Sequence, residues 1–330
     1  MARTAVVLMN LGGPDNLAAV RPFLFNLFSD PAILRVPKIF RLPLAWLIAR
    51  QRAPVARHIY ERLGGGSPLL ANTEAQARGL EAALGPGYRC FVAMRYWRPD
   101  SLETAQEVAN WAPDQIVCLP LYPQFSTTTT ASSLAAWHDA TARCGIASPV
   151  HTVCSYPSEA GFVNALAGLI RPYLDLAADH DRPPRLLLTA HGLPKRIVSA
   201  GDPYPSQVQS TAETVIAALD WPGLDWQVCY QSRVGPLEWL GPETDAEIRR
   251  AGSARIPLVV VPISFVSEHS ETLVELDLDY RSVAAKSGVP AYYRVPTVGV
   301  EPEFIQSLAG LVRRACAGEG AGGCGSKAAA

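Results

Sequence analysis

The stretch Ile256-Pro-Leu-Val-Val-Val-Pro-Ile-Ser-Phe-Val-Ser-Glu-His-Ser-Glu-Thr-Leu-Val-Glu-Leu-Asp-Leu-Asp-Tyr280 reads as a buried strand followed by a polar helix. The continuous apolar run Pro257–Val261 is typical of a strand covered on both faces of a parallel sheet. After it, Glu271, Glu275 and Asp279 lie four residues apart. At about 3.6 residues per turn, these carboxylates stack along one face of an α-helix, where like charges repel. Because the chain tolerates repulsion between these carboxylates, we infer that they either increase solubility or form a face along which cations or protons travel.

The same alternation of apolar strands and Ala/Leu-rich helices runs along the whole chain and predicts α/β architecture with parallel sheets flanked by helices. In a doubly wound sheet of this kind, ligands bind beyond the carboxyl ends of the strands. The predicted strands are Ala5–Met9, Cys90–Met94, Gln115–Leu119, Val150–Cys154, Arg185–Leu188, Trp226–Tyr230 and Pro257–Val261. The predicted helices are Thr73–Leu84, Leu102–Asn110, Glu159–Leu176, Ser206–Leu219 and Glu303–Cys316.

The two halves of the chain resemble each other. An early strand ends in Asn10-Leu-Gly-Gly-Pro14, and a later one ends in Ala190-His-Gly-Leu-Pro194. The similarity favours a duplication, with two similar domains facing a common cleft, although strand-then-turn patterns recur in any α/β protein. We predict an N-terminal domain over residues 1–150, a C-terminal domain over residues 151–314, and a flexible Gly/Ala/Cys tail over residues 315–330.

Composition limits the possible functions. The 330 residues are 48% hydrophobic and 18% charged, so the chain has enough apolar residues for a sizeable core. A net charge of −1 gives no electrostatic reason to expect a nucleic-acid partner. The N-terminus lacks a signal-peptide pattern, and no apolar run reaches the length of a membrane span. We therefore expect a cytoplasmic protein whose seven cysteines are reduced.

Residues 31–52 combine large apolar residues with cations and contain no Asp or Glu. Such a segment suits the surface of an anionic membrane, which would place the protein peripherally on the inner face, or the mouth of an apolar pocket. The alternative is an amphipathic helix packed on the core with its Lys and Arg in water.

Two strand ends carry side chains suited to chemistry. His191 follows one strand and could take protons near neutral pH or bind a metal. His269 and Glu271 follow another, and an imidazole with a carboxylate suits a divalent metal such as Fe(II). The alternative for Glu271 is ordinary stabilisation of a helix N-terminus capped by Ser267. The sequence has no His-Glu-x-x-His, Cys-x-x-Cys or Gly-x-Ser-x-Gly motif, which disfavours a structural zinc site and a hydrolase. No Gly-x-Gly-x-x-Gly follows the first strand, which disfavours a dinucleotide enzyme.

A series of motifs, in order from about residue 5 to residue 313, resembles the ferrochelatase family. They are Asn10-Leu-Gly-Gly-Pro14, Ser126-Thr-Thr-Thr-Thr-Ala-Ser-Ser133, Ala190-His-Gly-Leu-Pro194, Gly201-Asp-Pro-Tyr-Pro205, Tyr230-Gln-Ser-Arg-Val-Gly-Pro236, Trp239-Leu-Gly-Pro242 and Ser267-Glu-His-Ser-Glu-Thr-Leu273. The resemblance implies two Rossmann-like domains and a lyase-type metal chelatase. Such an enzyme inserts Fe(II) into protoporphyrin IX, releases two pyrrole protons and completes haem synthesis.

The resemblance also implies roles for particular residues. His191 and Glu271 match the pair that contacts the metal; which of them takes protons and which delivers iron is left open. Glu275 and Asp279 would continue an acidic path that carries protons out, iron in, or both. The expected porphyrin pocket comprises Leu11, Arg95, Tyr122, Trp239, Phe265 and His269. The apolar candidates could instead pack in the core, and Arg95 could form a surface ion pair.

Some ferrochelatases hold a [2Fe–2S] cluster with four cysteines, which raises the same hypothesis here. The tail offers Cys316 and Cys324, so four thiolates require both Cys144 and Cys154 as well. Other readings stay open: a chelatase for another tetrapyrrole or metal, a non-catalytic porphyrin carrier, and coproporphyrin instead of protoporphyrin as the substrate.

Overall fold

The structure, a computed structural model, describes residues 2–233, 235 and 237–319, and it divides them into two compact units. Unit 1 comprises residues 2–156 and 305–319, and unit 2 comprises residues 157–304. The sequence boundary predicted after residue 150 therefore lies a few residues before the observed one, and residues 305–314 belong with the N-terminal part of the chain.

Unit 1 is built on a parallel sheet of four strands in the order β2-β1-β3-β4. Its central strand β1 is buried along its whole length because helices cover both faces. The strands are β1 (Thr4–Asn10), β2 (Tyr88–Met94), β3 (Gln115–Pro120) and β4 (Val150–Thr152). The helices are α1 (Val20–Ser29), α2 (Lys38–Arg62), α3 (Leu69–Leu84), α4 (Ser101–Trp111) and α5 (Thr130–Arg143), with a 3-10 turn at Leu17–Ala19.

Unit 2 repeats this plan with a parallel sheet in the order β6-β5-β7-β8. The strands are β5 (Arg185–His191), β6 (Asp225–Gln231), β7 (Leu258–Pro262) and β8 (Tyr292–Arg294). The helices are α6 (Ala160–Ala178), α7 (Lys195–Ser199), α8 (Tyr204–Leu219), α9 (Thr244–Ser253), a π-helix (Glu271–Tyr280) and α10 (Arg281–Ser287). Helix α11 (Pro302–Cys316) begins in unit 2, and its residues from Ile305 onward belong to unit 1. The identical strand orders give the internal sequence similarity a structural counterpart.

The predicted α/β class with parallel sheets is confirmed, and each predicted strand and helix is present within a few residues of its expected bounds. The sequence prediction was wrong about residues 271–280, which form a π-helix instead of an α-helix. Ser270, not Ser267, precedes its first residue, and no side chain caps it. An α-helix and a π-helix expose similar amphipathic patterns, so the hydrophobic pattern alone does not separate them.

Helix α2 packs in an unexpected way. Three of its four buried residues are small, with Ala45, Ala49 and Ala53 at intervals of four, and the fourth is Tyr60, while Phe40 and Trp46 are exposed. Ala49, Ala53 and Tyr60 pack in one cluster with residues of α1. An amphipathic helix packed on the core would bury its large apolar side chains instead. Within the described residues, no helix combines the length and the apolarity that a membrane span requires.

Candidate active site

The carboxyl ends of β5 and β7 bring His191 and Glu271 together in unit 2. The two strands are parallel neighbours, with Thr189 opposite Pro262, so the segments that leave them start at the same edge of the sheet. His191 is the last residue of β5, and Glu271 is the first residue of the π-helix that follows β7. The imidazole Nδ1 lies 2.8 Å from Glu271 Oε2, with 42% of the histidine side chain and 25% of the glutamate side chain exposed. The pair is therefore both hydrogen-bonded and open to a ligand.

The two groups shift each other's protonation. Burial disfavours the charged imidazole, but the charge of Glu271 and its hydrogen bond outweigh this cost, and the pKa of His191 lies above its usual value. Burial also disfavours the charged carboxylate, yet the charge and hydrogen bond of His191 lower the pKa of Glu271 to about 2. The pair thus favours an imidazolium beside a carboxylate over the two neutral groups.

Glu275 lies one turn further along the π-helix and accepts hydrogen bonds from several directions. Ser232 donates its backbone N–H to Glu275 Oε1 at 2.9 Å and its hydroxyl to Oε2. Gln231 Nε2 lies 3.1 Å from Oε2, and the hydroxyl of Tyr280 lies 3.0 Å from Oε1. Burial and the charge of Glu271 nevertheless raise the pKa of Glu275. The raised pKa makes Glu275 a better proton acceptor than an ordinary carboxylate.

The acidic residues differ in their surroundings. Gln231 also donates to the backbone oxygen of Glu271, at 3.1 Å, and so links the first two carboxylate positions. Asp279, the third predicted member of the path, is exposed on the π-helix. The stack expected along one α-helical face thus consists of two half-buried carboxylates joined by Gln231 and Ser232, followed by a surface residue.

Three predicted pocket residues lie in unit 2. Trp239 packs over Gly192, where an added Cβ would come within 3.3 Å of the indole ring and 2.9 Å of the Gln231 carbonyl oxygen. Phe265 is half-buried, with its ring centroid 4.6 Å from that of His269. His269 is buried, and burial lowers its pKa. Trp239 therefore lies directly beside the residue that follows His191.

The other three pocket candidates lie in unit 1. Arg95 donates from Nη2 to Asp30 Oδ2 at 2.8 Å, and Asp30 is 2% exposed. Tyr122 places its hydroxyl 3.5 Å from the Ser133 hydroxyl. Leu11 packs on the apolar cluster formed by α1 and α2. Arg95 is thus in an ion pair, but 22% of its side chain stays exposed.

The cysteines proposed as cluster ligands have different environments. Cys144 packs on the core cluster beneath α4 and α5, and Cys316 hydrogen-bonds Tyr88. Cys154 is disulfide-bonded, so the expectation that all seven cysteines are reduced is wrong for this residue. It also lines a cavity with Leu311 and Ala315. Cys324 lies outside the described residues. Among the residues that are described, no group of three His, Cys, Asp or Glu side chains could hold a metal ion.

Sequence reasoning missed the residues that organise the site. Gln231 and Ser232 fall in the motif Tyr230–Pro236, but nothing in their spacing indicated that they bind Glu275. Ser232 has a φ of 63°, an uncommon conformation for a residue other than glycine, which turns its hydroxyl and its backbone N–H toward the same carboxylate. Asp30 was missed as well, since a single aspartate after a helix gives no sequence signal of an ion pair with Arg95.

Solved structures with the same architecture are chelatases. SirB from Bacillus subtilis with Fe3+ superposes with a TM-score of 0.57 at 12% identity and covers 96% of both chains. The sirohydrochlorin chelatase SirB from Bacillus subtilis subspecies spizizenii in complex with cobalt gives a TM-score of 0.55 at 12% identity over 95% of both chains. At such identities the likeness establishes the fold, which is the two-domain chelatase fold.

The sequence comparisons define the family. The ferrochelatase family model matches residues 3–316. The ferrochelatase of Caulobacter vibrioides is 54% identical over 94% of this chain and 90% of its own length, and that of Phenylobacterium zucineum is 55% identical over 93% and 90%. A Wolbachia ferrochelatase is 47% identical over 94% and 98%. The chain belongs to the ferrochelatase family, and it is a lyase-type metal chelatase that inserts iron into a porphyrin for haem synthesis.

Proposed function

We propose that the substrate is protoporphyrin IX and that His191 and Glu271 contact the Fe(II) during insertion. The observation that carries this proposal is the 2.8 Å contact between the His191 imidazole and the Glu271 carboxylate at the open end of the sheet. One nitrogen and one carboxylate oxygen suit Fe(II) as ligands of moderate affinity. Moderate affinity matters because the metal is cargo and must be released to the porphyrin.

The charge state of the pair suggests an order of events. Insertion requires that Fe(II) loses its water and that two pyrrole N–H groups lose their protons. In the free enzyme Glu271 raises the pKa of His191 and so favours its protonated form, which accepts no further proton. A divalent cation that reaches the Glu271 carboxylate competes with the imidazolium and favours loss of the imidazole proton to solvent, to which the His191 side chain is 42% exposed. Once the cation passes to the porphyrin, the freed imidazole nitrogen is the proposed base for a pyrrole proton.

Glu275 is the proposed next group on the proton path. It has a raised pKa, and Gln231 and Ser232 join it to the backbone and side chain of Glu271. Two protons leave the porphyrin in each turnover, and each is passed outward from the pair. Asp279, exposed further along the π-helix, is the proposed exit.

The proposed porphyrin contacts in unit 2 are Trp239, Phe265 and His269, and Leu11, Arg95 and Tyr122 of unit 1 are proposed separately as porphyrin contacts. Trp239 supports this assignment because its ring packs over Gly192, the residue that follows His191. A flat macrocycle must bend to admit a metal from one face, so bulky side chains that favour a bent porphyrin stabilise the transition state. The exposed part of Arg95 would meet a propionate.

Metal insertion under anaerobic conditions tests the proposal. The wild type is incubated with Fe(II) or Zn(II) and with either protoporphyrin or coproporphyrin, and the loss of porphyrin fluorescence is followed. His191→Asn and Glu271→Gln should each lower kcat by roughly 10²-fold or more, the range for removal of a general base. His180→Asn, a substitution elsewhere in unit 2, is the matched control. Insertion at wild-type rates by both site variants would contradict the role of His191 and Glu271 as metal contacts. Faster insertion into coproporphyrin than into protoporphyrin would identify coproporphyrin as the substrate.

A non-catalytic porphyrin carrier is the alternative outcome of the same assay. A carrier would give a stable porphyrin or haem spectrum without metal insertion. The acidic residues beside His191 favour the enzyme, because a carrier needs an axial ligand but no proton path.

We also propose that the protein is cytoplasmic and contacts the inner face of the membrane peripherally. The proposed contact is the segment 31–52, which includes the first part of α2. The exposed side chains Ile39, Phe40 and Trp46 support it, since the helix packs on α1 through alanines instead. Phe40→Ser with Trp46→Ser should weaken sedimentation with anionic vesicles. Val150→Ser removes an exposed apolar side chain elsewhere in unit 1 and should leave sedimentation unchanged. Equal binding by all these proteins would rule out this surface.

A [2Fe–2S] cluster on Cys144, Cys154, Cys316 and Cys324 stays a hypothesis. The described thiols give it no support, because Cys144 packs on one core cluster while Cys316 bonds Tyr88. A visible absorption spectrum of the purified protein, together with iron and sulfide assays, decides the matter.

A further inference from the structure

One arginine on the edge strand of unit 2 holds the segment that carries Glu271 at two points. Arg294 ends β8 and lies opposite Val260 of β7. Its Nη1 donates to Glu268 Oε1 at 2.6 Å, and its Nη2 donates to Asp277 Oδ2 at 2.5 Å. Glu268 precedes the π-helix and Asp277 lies within it, so the two contacts bracket Glu271.

Arg294 and its two carboxylate partners are largely shielded from water, which strengthens their ion pairs. Arg294 is 9% exposed, whereas Glu268 is 23% and Asp277 is 25% exposed. Glu268 Oε1 also accepts the backbone N–H of Thr297 at 3.0 Å, which fixes the carboxylate from the same side. Ion pairs at the surface contribute little, but removing one partner from a largely buried group leaves a charge without compensation.

The segment between the two contacts has an uncommon geometry. Ten consecutive residues form a π-helix, while most π-helical pieces are single turns and are frequent at functional sites. Rewinding to α-helical hydrogen bonds would change the angular position of Asp277 relative to Glu271 and Glu268. If the segment rewound, Asp277 would move away from its place beside Arg294. The planar guanidinium, which binds Glu268 and Asp277 together, therefore favours the π-helical winding.

We propose that Arg294 is a positioning residue for metal delivery: by binding Glu268 and Asp277 together, it fixes the π-helix so that Glu271 meets His191. This inference rests on the proposed function of Glu271 as a metal contact. Arg294 itself reaches neither the imidazole nor Glu271 in the described contacts, so it acts through the segment. Displacement of a reacting group by about 1 Å costs up to roughly 10²-fold in rate, which sets the size of the expected effect.

The test compares Arg294→Met and Arg294→Lys with a matched control, Arg249→Met. Arg249 lies on α9 of the same unit, its side chain is 59% exposed, and its ion pair with Asp245, at 3.8 Å, does not involve the π-helix. We expect Arg294→Met to raise the KM for Zn(II) or to lower kcat by ~10- to 100-fold, as for groups that orient metal ligands. Arg294→Lys should recover only part of the loss, because an ammonium lacks the fork that spans two carboxylates. Arg249→Met should stay within about twofold of the wild type, since exposed pairs contribute little.

Porphyrin binding separates positioning from general loss of structure. The affinity for protoporphyrin, measured by fluorescence quenching without metal, should change by less than about twofold in Arg294→Met, because the proposed ring contact Trp239 lies outside the π-helix. Thermal unfolding identifies variants that are folded at the assay temperature. If Arg294→Met does not fold, the single-arm variants Glu268→Gln and Asp277→Asn carry the test, each expected to impair metal use more than porphyrin binding.

Two sets of results would overturn the proposal. One is a folded Arg294→Met enzyme with kcat and metal KM within twofold of the wild type. The other is an equal loss of metal use and porphyrin affinity. Glu271→Gln is measured in parallel to keep the two hypotheses apart. If Glu271→Gln alone impairs metal use, only the role of Arg294 fails; if Glu271→Gln behaves as the wild type, the proposed function of the pair fails.

Discussion

At the scale of single residues, the protonation of His191 is the property that a substitution can shift most directly. Burial alone would lower the pKa of the imidazole, and Glu271 reverses that effect through its charge and its hydrogen bond. Glu275 contributes less. The protonation of the site therefore depends mainly on one carboxylate.

The first prediction is that Glu271→Gln lowers the pKa of His191 below that in the wild type. The amide keeps a similar shape but has no charge, so burial becomes the dominant influence on the imidazole. The measurement is the NMR titration of the His191 ring protons. Glu213→Gln, an exposed carboxylate on α8, should not alter that titration. An unchanged pKa in Glu271→Gln would show that the pair does not form in solution.

The second prediction concerns the pH dependence of turnover. Because His191 must be deprotonated to act as a base, kcat/KM should rise with pH through its pKa, which lies above the usual value near 6.5. In Glu271→Gln the same limb should move to lower pH, even though the maximum rate falls. The measurement is the initial rate of Zn(II) insertion across pH. If kcat/KM rises at the same pH in both proteins, the titration that controls the rate belongs to a group other than His191.

The third prediction concerns acid stability. The pKa of Glu271 is lowered to about 2 in the folded protein, from 4.5. Its contribution to the free energy of unfolding is therefore present above pH 4.5 and is lost as the pH falls toward 2. Urea unfolding should show wild type and Glu271→Gln converging in stability over that range. A difference that stays constant with pH would mean that the carboxylate does not keep its low pKa.

At the scale of elements, sequence patterns predicted the strands well and the site's organisation poorly. Apolar runs such as Pro257–Val261 identify buried strands because burial on both faces requires them. The winding of the π-helix and the turn at Ser232 depend instead on contacts with distant residues, namely Arg294 and Glu275. His191 and Glu271 were recognisable through the strand-end rule and the family motifs, whereas the residues that hold them were not.

Helix α2 yields the fourth prediction. Ala49 is 1% exposed and faces α1, so Ala49→Leu forces a larger side chain into a packed interface and should cost about 1–3 kcal/mol of stability. Phe40→Ser, at a position that is 67% exposed, should change stability by about 0.5 kcal/mol or less. Urea unfolding of both variants measures the contrast. A larger loss for Phe40→Ser would mean that its side chain is covered in solution.

At the scale of the whole molecule, the distribution of charge matters more than its sum. The net charge is −1, yet α2 contains a single acidic residue, Glu61, beside one lysine and five arginines. Those cations lie on the same helix as the exposed Phe40 and Trp46. The chain thus combines an almost neutral total with a basic helix that exposes apolar side chains, a combination that favours anionic lipid headgroups.

The fifth prediction follows from this asymmetry. Lys38→Glu with Arg57→Glu, both exposed on α2, should weaken binding to anionic vesicles by about 2 kcal/mol or more, at roughly 1 kcal/mol for each cation near the surface. Binding of the wild type should also fall as salt shortens the Debye length from about 10 Å at 0.1 M to 3 Å at 1 M, while the part due to Phe40 and Trp46 persists. Lys286→Glu, an exposed cation of unit 2, is the control and should bind as the wild type does. Sedimentation with vesicles of mixed anionic and neutral lipids measures the binding of all three proteins. Binding that is insensitive both to salt and to the α2 substitutions would show that the protein does not bind anionic membranes through α2.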